Sequence, residues 1–264
     1  MTRDINIEFK SAYTRKNIRS VISTIQYELE DFIESYEIKR IVLPLANTIE
    51  TISLVATLKP LINKGLIDLV FISDARSKRL IPKNLESFLK IVRASPIILS
   101  FDGGILKILK AYLPRTSKES IQQSLNALLL RKYADSKEAI IVRPFTYTHW
   151  ILGAFEDIEF KTSDYLPFIR VYYSNIKKIS HLYGLDRYFS KAQLDPRIKK
   201  MMNELNIPTI EKLDIILDIL TSEVMELDEE GEYKEMNIPS DVMKKLTDII
   251  RKNSLKKITP TPIP

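Results

Sequence analysis

The chain has 264 residues, of which 45% are hydrophobic and 28% charged, a balance typical of a globular protein with one α/β domain and a smaller appendage. It contains no cysteine and two histidines, which excludes disulfides, cysteine nucleophiles and thiolate metal sites and disfavours a zinc site built on imidazoles. The first residues lack the apolar core of a signal peptide and no apolar run is long enough to span a bilayer, so we expect a cytoplasmic protein with no membrane partner.

Alternating strand-like and helix-like segments fill the first part of the chain. An alternating segment at residues 5–10 is a candidate edge strand, and apolar residues at helical spacing predict a helix over residues 14–36. The apolar run at residues 40–46 predicts the first buried strand. The helical pattern that starts at Ile49 should break or kink at Pro60.

Three further apolar runs, at residues 67–73, 96–101 and 138–142, predict the remaining strands. All four runs are apolar on both faces, which is typical of parallel strands covered by helices on two sides. A capping box formed by Thr116 and Glu119 predicts the start of the helix before the last strand. The order predicts a Rossmann-like α/β fold, with an open, mostly parallel sheet of four to five strands flanked by helices.

From about residue 161 the pattern becomes helical. Asp195 followed by Pro196 predicts an N-cap and a first helical turn, and two more helices open near residues 208 and 239. An acidic loop is predicted between them, at residues 226–235. We therefore predict a Rossmann-like domain at 1–160, a helical C-terminal region at 161–257 and a disordered Pro-rich tail at 258–264.

Ligands of open parallel sheets bind outside the carboxyl ends of the strands, near the point where strand order reverses. Polar residues follow each predicted strand and are therefore the candidates for such a site: Asn47, Thr48, Asp74, Arg76, Lys78, Arg79, Asp102, Gly103, Gly104, Arg143, Thr146, Tyr147 and His149. From these we select six as the predicted ligand-binding set: Asp74, Arg76, Asp102, Gly103, Gly104 and Arg143.

The Asp102-Gly103-Gly104 segment carries most of this prediction. Two glycines at a helix start each cost about 1 kcal/mol of helix propensity, and they allow a phosphate or a neighbouring strand to approach the backbone closely. Arg76 and Arg143 would contribute positive charge. Asp74 and Asp102 are carboxylates that suit Mg²⁺, which is a candidate cofactor where a phosphate ligand is bound.

Structural alternatives exist for the same residues. Asn47 and Glu50 fit the N-cap and N3 positions of a helix, and the two aspartates of the predicted set also suit helix caps. Arg143 can simply end its strand, and His149 beside Trp150 is typical of a packed aromatic corner. These alternatives stay open at the level of sequence.

No catalytic residue is indicated, because the chain lacks G-x-x-x-x-G-K-[ST], G-x-S-x-G and a G-x-G-x-x-G after any strand. Our first interpretation is a protein that binds an anionic or phosphorylated small molecule at the carboxyl edge of the sheet, with enzyme status left open. The alternative is a non-enzymatic protein that forms homo-oligomers or binds a partner through its C-terminal helices. The net charge of +6 leaves nucleic-acid binding through basic helices as a third interpretation.

Overall fold

Four parallel strands form the centre of the fold in a computed structural model that describes residues 15–75, 81–155, 157–189, 194–221 and 239–256. The strands are β1 Ile41–Pro44, β2 Ile67–Asp74, β3 Ile97–Phe101 and β4 Ile140–Ile141. They lie in the order β3-β2-β1-β4, and every neighbouring pair is parallel. The predicted Rossmann-like fold is therefore confirmed. The candidate edge strand at residues 5–10 lies outside the described residues.

Both faces of β1, one of the two inner strands of the sheet, are buried. Ile41 and Leu43 enter the larger of the hydrophobic cores, whereas Val42 between them enters a second core on the opposite face. This is the alternation of side chains that a pleated strand imposes, and it explains why the sequence of β1 is continuously apolar.

Helices cover the sheet on both faces. Those of the first part of the chain are α1 Arg15–Ser35, α2 Ile49–Thr57, α3 Lys59–Asn63, α4 Lys83–Val92, α5 Gly104–Tyr112 and α6 Lys118–Ser136. The predicted break near Pro60 is confirmed, because α2 ends at Thr57 and Pro60 lies in the first turn of α3.

Two predicted helix caps are wrong by one residue. The N-cap of α2 is Thr48 rather than Asn47, and its hydroxyl accepts from the Thr51 backbone N–H. The N-cap of α6 is Ser117 rather than Thr116. At both places two oxygen-bearing side chains stand next to each other, so the pattern alone cannot fix the register. Glu50 is therefore the second residue of α2, and it is buried together with the rest of that helix.

The second part of the chain is helical, as predicted. Its helices are α7 Tyr147–Leu152, α8 Asp157–Lys161, α9 Tyr173–Leu182, α10 Asp186–Phe189, α11 Pro196–Glu204, α12 Ile210–Thr221 and α13 Ser240–Lys256. Asp195 caps α11 as predicted, by accepting from the Arg197 backbone N–H at 2.8 Å. The acidic loop at 226–235 and the tail at 258–264 lie outside the described residues.

One hydrophobic core contains side chains from both parts of the chain. Leu43 and Ile52 from the first part share it with Ile176 and Leu213 from the second. The domain boundary at residue 160 remains a prediction. Among the described residues, no helix is both long enough and apolar enough to cross a membrane.

The C-terminal helix is attached to the end of α7 at a glycine. The side chain of Asn253 in α13 donates from Nδ2 to the carbonyl oxygen of Leu152. Gly153 follows with φ +61°, and a Cβ at this position would lie 2.6 Å from the Asn253 side chain. Glycine is therefore needed here both for its conformation and for the space it leaves.

We expect Gly153→Ala to lower the free energy of unfolding by about 2–4 kcal/mol, because it adds a clash to the cost of a left-handed alanine. Gly184→Ala is the matched control: Gly184 has φ +65° with no atom within 4 Å of its Cβ position, so it should lose only about 1 kcal/mol. Equilibrium urea unfolding measures both. Equal losses would contradict the contact between α7 and α13.

Candidate functional site

The reversal of strand order defines where a site is expected. The chain passes from β1 to β2 to β3 in one direction and then returns to the far side of β1 for β4. The reversal therefore lies between β1 and β4, and ligands of such sheets bind outside the carboxyl ends of these two strands. The helices that follow them are α2 and α7.

The first turns of α2 and α7 bring Glu50 and His149 together. His149 Nε2 lies 3.7 Å from Glu50 Oε1 and 3.7 Å from Oδ2 of Asp195, the N-cap of α11. Glu50 is 3% exposed, His149 2% and Asp195 8%. We call Glu50, His149 and Asp195 the switch-point cluster.

A capping box holds the imidazole of His149. The Thr146 hydroxyl accepts from the His149 backbone N–H at 3.3 Å, and His149 Nδ1 accepts from the Thr146 backbone N–H at 3.2 Å. Because Nδ1 accepts a hydrogen bond, the neutral ring carries its proton on Nε2, which faces the two carboxylates. Asp195 is fixed from the other side by Arg197, whose Nη2 lies 3.0 Å from Oδ2.

Further charges extend the cluster into a network. Arg197 Nη1 lies 3.7 Å from Glu159 Oε2, and Glu159 Oε1 lies 3.6 Å from Nη1 of the buried Arg143. Opposite charges thus alternate from Arg143 through Glu159 and Arg197 to Asp195, and the neutral His149 lies between Asp195 and Glu50. Three carboxylates and two guanidinium groups leave one excess negative charge within this network when His149 is neutral.

Burial shapes the protonation of the site. It raises the pKa of the Glu50 carboxyl, and the nearby His149 offsets this only in part. Burial acts in the same direction on Asp195, but the contacts of His149 and Arg197 outweigh it and hold the pKa of that carboxyl well below its usual range. Burial and the charge of Glu50 raise the pKa of Tyr173, which therefore stays a neutral phenol.

An open pocket of about 310 Å³ adjoins the switch-point cluster. Tyr173 lines the pocket and its hydroxyl faces Glu50. Two other lining residues, Ile49 and Leu194, are the chain neighbours of Glu50 and Asp195. A Lys177–Glu211 ion pair, 3.1 Å long, lies at the rim. A molecule in this pocket would meet the buried acid–base groups through Tyr173.

A second buried carboxylate fixes the helices that carry the site. Asp214 in α12 accepts from the Thr148 hydroxyl at 2.6 Å and from the Ser174 backbone N–H at 2.7 Å. The Thr148 oxygen in turn accepts from the Tyr173 backbone N–H at 2.9 Å. Asp214 thus ties α7 to the first turn of α9. Burial raises the pKa of its carboxyl to about 6, although these hydrogen bonds favour the charged form.

Four of the six predicted site residues meet at the start of α5. Asp74 Oδ1 accepts from the Gly103 backbone N–H at 3.2 Å, and Asp102 Oδ1 accepts from the Gly104 backbone N–H at 2.8 Å. A Cβ on Gly104 would lie 3.3 Å from Asp102 Oδ1, so glycine allows the aspartate to fold back. These contacts close the β3–α5 turn, and ligand binding there remains a prediction.

The other two predicted residues do not join that group. Arg76 lies outside the described residues. Arg143 follows β4, two strand positions from β2, which is a separation of about 10 Å. Its guanidinium instead faces Glu159, and burial lowers its pKa. The predicted set is therefore divided between two places along the sheet edge.

The switch-point cluster was not predicted from the sequence. The local pattern favours capping roles for Glu50 and Asp195, and it favours a packed aromatic corner for His149. One available signal is that Glu50 is the only charged residue of α2, all of whose residues are buried. A charge within a wholly buried helix needs a partner, and that need points to a site.

Together these features define an α/β protein with a Rossmann-like sheet and a buried polar site at the reversal of strand order. No protein-family model matches the chain. It is 22% identical over 247 residues to an NH3-dependent NAD+ synthetase from Thermococcus sibiricus. The aligned region covers 91% of this chain and 95% of that protein.

Solved structures show the same fold over almost the whole chain. An NMN synthetase from Francisella tularensis has a TM-score of 0.68 at 14% identity and covers 93% of this chain and 98% of its own. An NH3-dependent NAD synthetase from Campylobacter jejuni, in complex with a nitrate ion, has a TM-score of 0.62 at 17% identity and covers 92% and 97%. The architecture is that of NAD synthetase-type α/β proteins.

The function predicted from the sequence is wrong. The proteins that resemble nearly the whole chain are named as synthetases of pyridine nucleotides. This finding conflicts with an uncharacterised or non-enzymatic interaction protein and with nucleic-acid binding through basic helices, whereas an anionic small-molecule ligand is consistent with it.

We expect His149→Gln to lower the free energy of unfolding by about 3 kcal/mol, because it removes the group that the two buried carboxylates share. The matched control is His181→Gln. His181 is exposed and pairs with Asp186 at 2.7 Å, and its loss should cost less than about 0.5 kcal/mol. Chemical denaturation at pH 7 measures both changes. Similar losses in the two variants would show that the buried His149 contributes no more to stability than the exposed His181.

Asp214→Asn should flatten the pH dependence of stability. The folded carboxyl, with a pKa of about 6, binds its proton more tightly than the unfolded one, so wild-type stability falls as pH rises from about 4 to about 7. Asparagine can accept from the Ser174 backbone N–H through Oδ1 and donate from Nδ2 to the Thr148 hydroxyl oxygen, so it keeps both contacts without the charge. The substitution removes a loss on the order of 3 kcal/mol. Unfolding curves across this range test the effect, with the exposed Asp241→Asn as control. Parallel wild-type and Asp214→Asn profiles would contradict it.

Proposed function

We propose that the chain is a nucleotide-binding enzyme that forms an amide from a carboxylic acid and ammonia. Two of the proteins that it resembles are named as NH3-dependent NAD synthetases. The observation that carries the proposal is the end-to-end match to synthetases, 91% of this chain and 95% of the relative. The buried acid–base cluster beside an open pocket supports it, because amide formation needs groups that accept and donate protons.

The chemistry assigns a task to the cluster. Ammonia attacks an activated acyl carbon, the C–N bond forms, the activating group leaves, and the nitrogen must lose a proton. At neutral pH the donor arrives largely as ammonium and must lose another proton before it attacks. Glu50 and His149 can take up these protons, since burial raises the pKa of Glu50 and the imidazole lies 3.7 Å away.

The pocket sets the position of the ligand. Its volume of about 310 Å³ is at the lower end of small-molecule sites, so it suits one ring of a nucleotide rather than the whole molecule. Tyr173 forms the wall between this ring and Glu50. The remainder of an anionic ligand would extend past Lys177 at the rim. A homo-oligomeric state is part of this proposal and is tested by light scattering.

The turn between β1 and α2 sets a condition on how an anion can bind. Residues 45–48 contain no glycine, and the first turn of α2 carries the buried Glu50. A phosphate at this helix start would meet a carboxylate instead of unoccupied backbone N–H groups. The ligand's negative charge must therefore be balanced by a cation or be placed away from α2.

The test is incorporation of ¹⁵N. The full chain is incubated with ¹⁵N-ammonium, a nucleoside triphosphate as the activating group, divalent metal ions and the carboxylic-acid form of a pyridine nucleotide. We expect an amide product that carries the label, detected by mass spectrometry. His149→Gln should lose at least 100-fold in rate, whereas His181→Gln should retain wild-type activity.

Two results would overturn the proposal. One is the absence of labelled amide with every pyridine nucleotide acid tried, from protein whose folding is confirmed by circular dichroism. The other is a product that forms equally well with His149→Gln, since the cluster would then have no part in the reaction.

A further inference from the structure

We infer that Glu50, His149 and Asp195 bind a transition-metal dication such as Zn²⁺, Mn²⁺ or Co²⁺. One donor atom from each residue lies within 4.8 Å of the other two, and His149 Nε2 is 3.7 Å from each carboxylate. Donors around such an ion lie about 3.0–3.5 Å apart, given bonds of about 2.0–2.2 Å. The two distances to His149 must shorten by a few tenths of an ångström, and the two carboxylate oxygens, which lie within 4.8 Å of each other, by up to about 1 Å.

An independent observation points to a missing ligand. Glu50 Oε2 and the Tyr173 hydroxyl are both buried, and neither makes a hydrogen bond of normal geometry among the described residues. The two groups face each other closely enough for Tyr173 to act as a donor to the Glu50 carboxylate, so Tyr173 offsets part of the cost of burying this charge. A buried carboxylate oxygen without a donor is costly, and native proteins rarely leave one in that state. A cation bound between Glu50 and its neighbours removes this cost.

The surroundings of the cluster resemble those of metal ligands. Ligating side chains are usually oriented by hydrogen bonds from groups behind them. Arg197 plays this part for Asp195, with bonds of 3.2 and 3.0 Å to its two oxygens. Thr146 plays it for His149. When Nε2 binds the metal, the neutral ring carries its proton on Nδ1, and the Thr146 hydroxyl oxygen, 2.7 Å away, can accept the hydrogen bond from Nδ1–H.

The donor set selects the kind of metal. Mg²⁺ prefers an all-oxygen site with several waters, whereas an imidazole with two carboxylates suits first-row transition metals. Three protein ligands leave a position for solvent or for an anionic group. The ion would change the excess charge of the network from −1 to +1. It would therefore supply the positive charge that an anion near α2 requires. A ligating His149 Nε2 cannot take up a proton, so metal binding and proton uptake at this nitrogen are alternative states of the cluster. Metal binding itself does not depend on the proposed reaction.

The two histidines of the chain allow a direct test. Full-length protein is stripped with a chelator and titrated with Co²⁺ while the imidazole signals of His149 and His181 are followed by NMR. We expect one equivalent of Co²⁺ to broaden the His149 signals selectively and to produce a visible absorption band. Elemental analysis after dialysis against Zn²⁺ should give one ion per chain.

The variants Glu50→Gln, His149→Gln and Asp195→Asn should each weaken Co²⁺ binding at least 100-fold. The exposed His181–Asp186 pair provides matched controls, because His181→Gln and Asp186→Asn alter a His–Asp contact of 2.7 Å without touching the site. Both should bind Co²⁺ as wild type does. Circular dichroism confirms that each variant is folded, and Asp195→Asn retains an oxygen for the α11 cap.

Three outcomes would overturn the inference: less than a tenth of an equivalent of Co²⁺ bound, broadening of His181 in place of His149, or equal affinity in wild type and folded Glu50→Gln. Displacement of Co²⁺ by equimolar Mg²⁺ would overturn the assigned metal class. Stoichiometric metal without labelled amide would refute the proposed function and leave the metal site intact. Labelled amide from protein that binds no metal would refute the metal site and leave the proposed function intact.

Discussion

The burial of charge at the reversal of strand order is the constraint on which the site depends. Glu50 lies on a helix that is otherwise apolar or uncharged, and that helix packs into the main hydrophobic core. An isolated carboxylate there would cost several kcal/mol or remain protonated. This cost is offset by His149, which lies on the helix after β4 and contacts Glu50, and by the Asp195–Arg197 ion pair on the other side of His149. The topology matters because only the β1–β4 neighbour relation brings these two helix starts together.

The helical C-terminal part of the chain completes this arrangement. Asp195 and Arg197 come from the start of α11, and Tyr173 comes from the first turn of α9. Asp214 on α12 then fixes α7 against α9, so His149 and Tyr173 are held by one hydrogen-bonded unit. These helices are therefore part of the site itself. The arrangement also explains why one hydrophobic core contains side chains from both sides of residue 160.

The fold could be predicted from the sequence, and the site could not. Segments such as the one that contains Val42 are apolar on both faces, and few structures other than a parallel sheet satisfy that pattern. The site depends on strand order, which local patterns do not contain. Without that order, Asp102 with its two glycines was as good a candidate as any residue at the sheet edge. An acidic residue in the first turn of a helix is typical of a solvent-exposed cap, and the local pattern does not show that α2 is buried along its whole length.

Thr146 shows why structural and functional roles cannot be separated at this site. Its hydroxyl caps α7, and the same atom lies 2.7 Å from His149 Nδ1. The cap therefore sets which ring nitrogen faces the carboxylates, and any proton or metal that changes His149 Nε2 must also change the bond to Thr146. A chemical event at the cluster is thus coupled to the first turn of α7, whose other end is held by α13 through Asn253. This coupling follows from the geometry whether His149 Nε2 binds a proton or a metal ion.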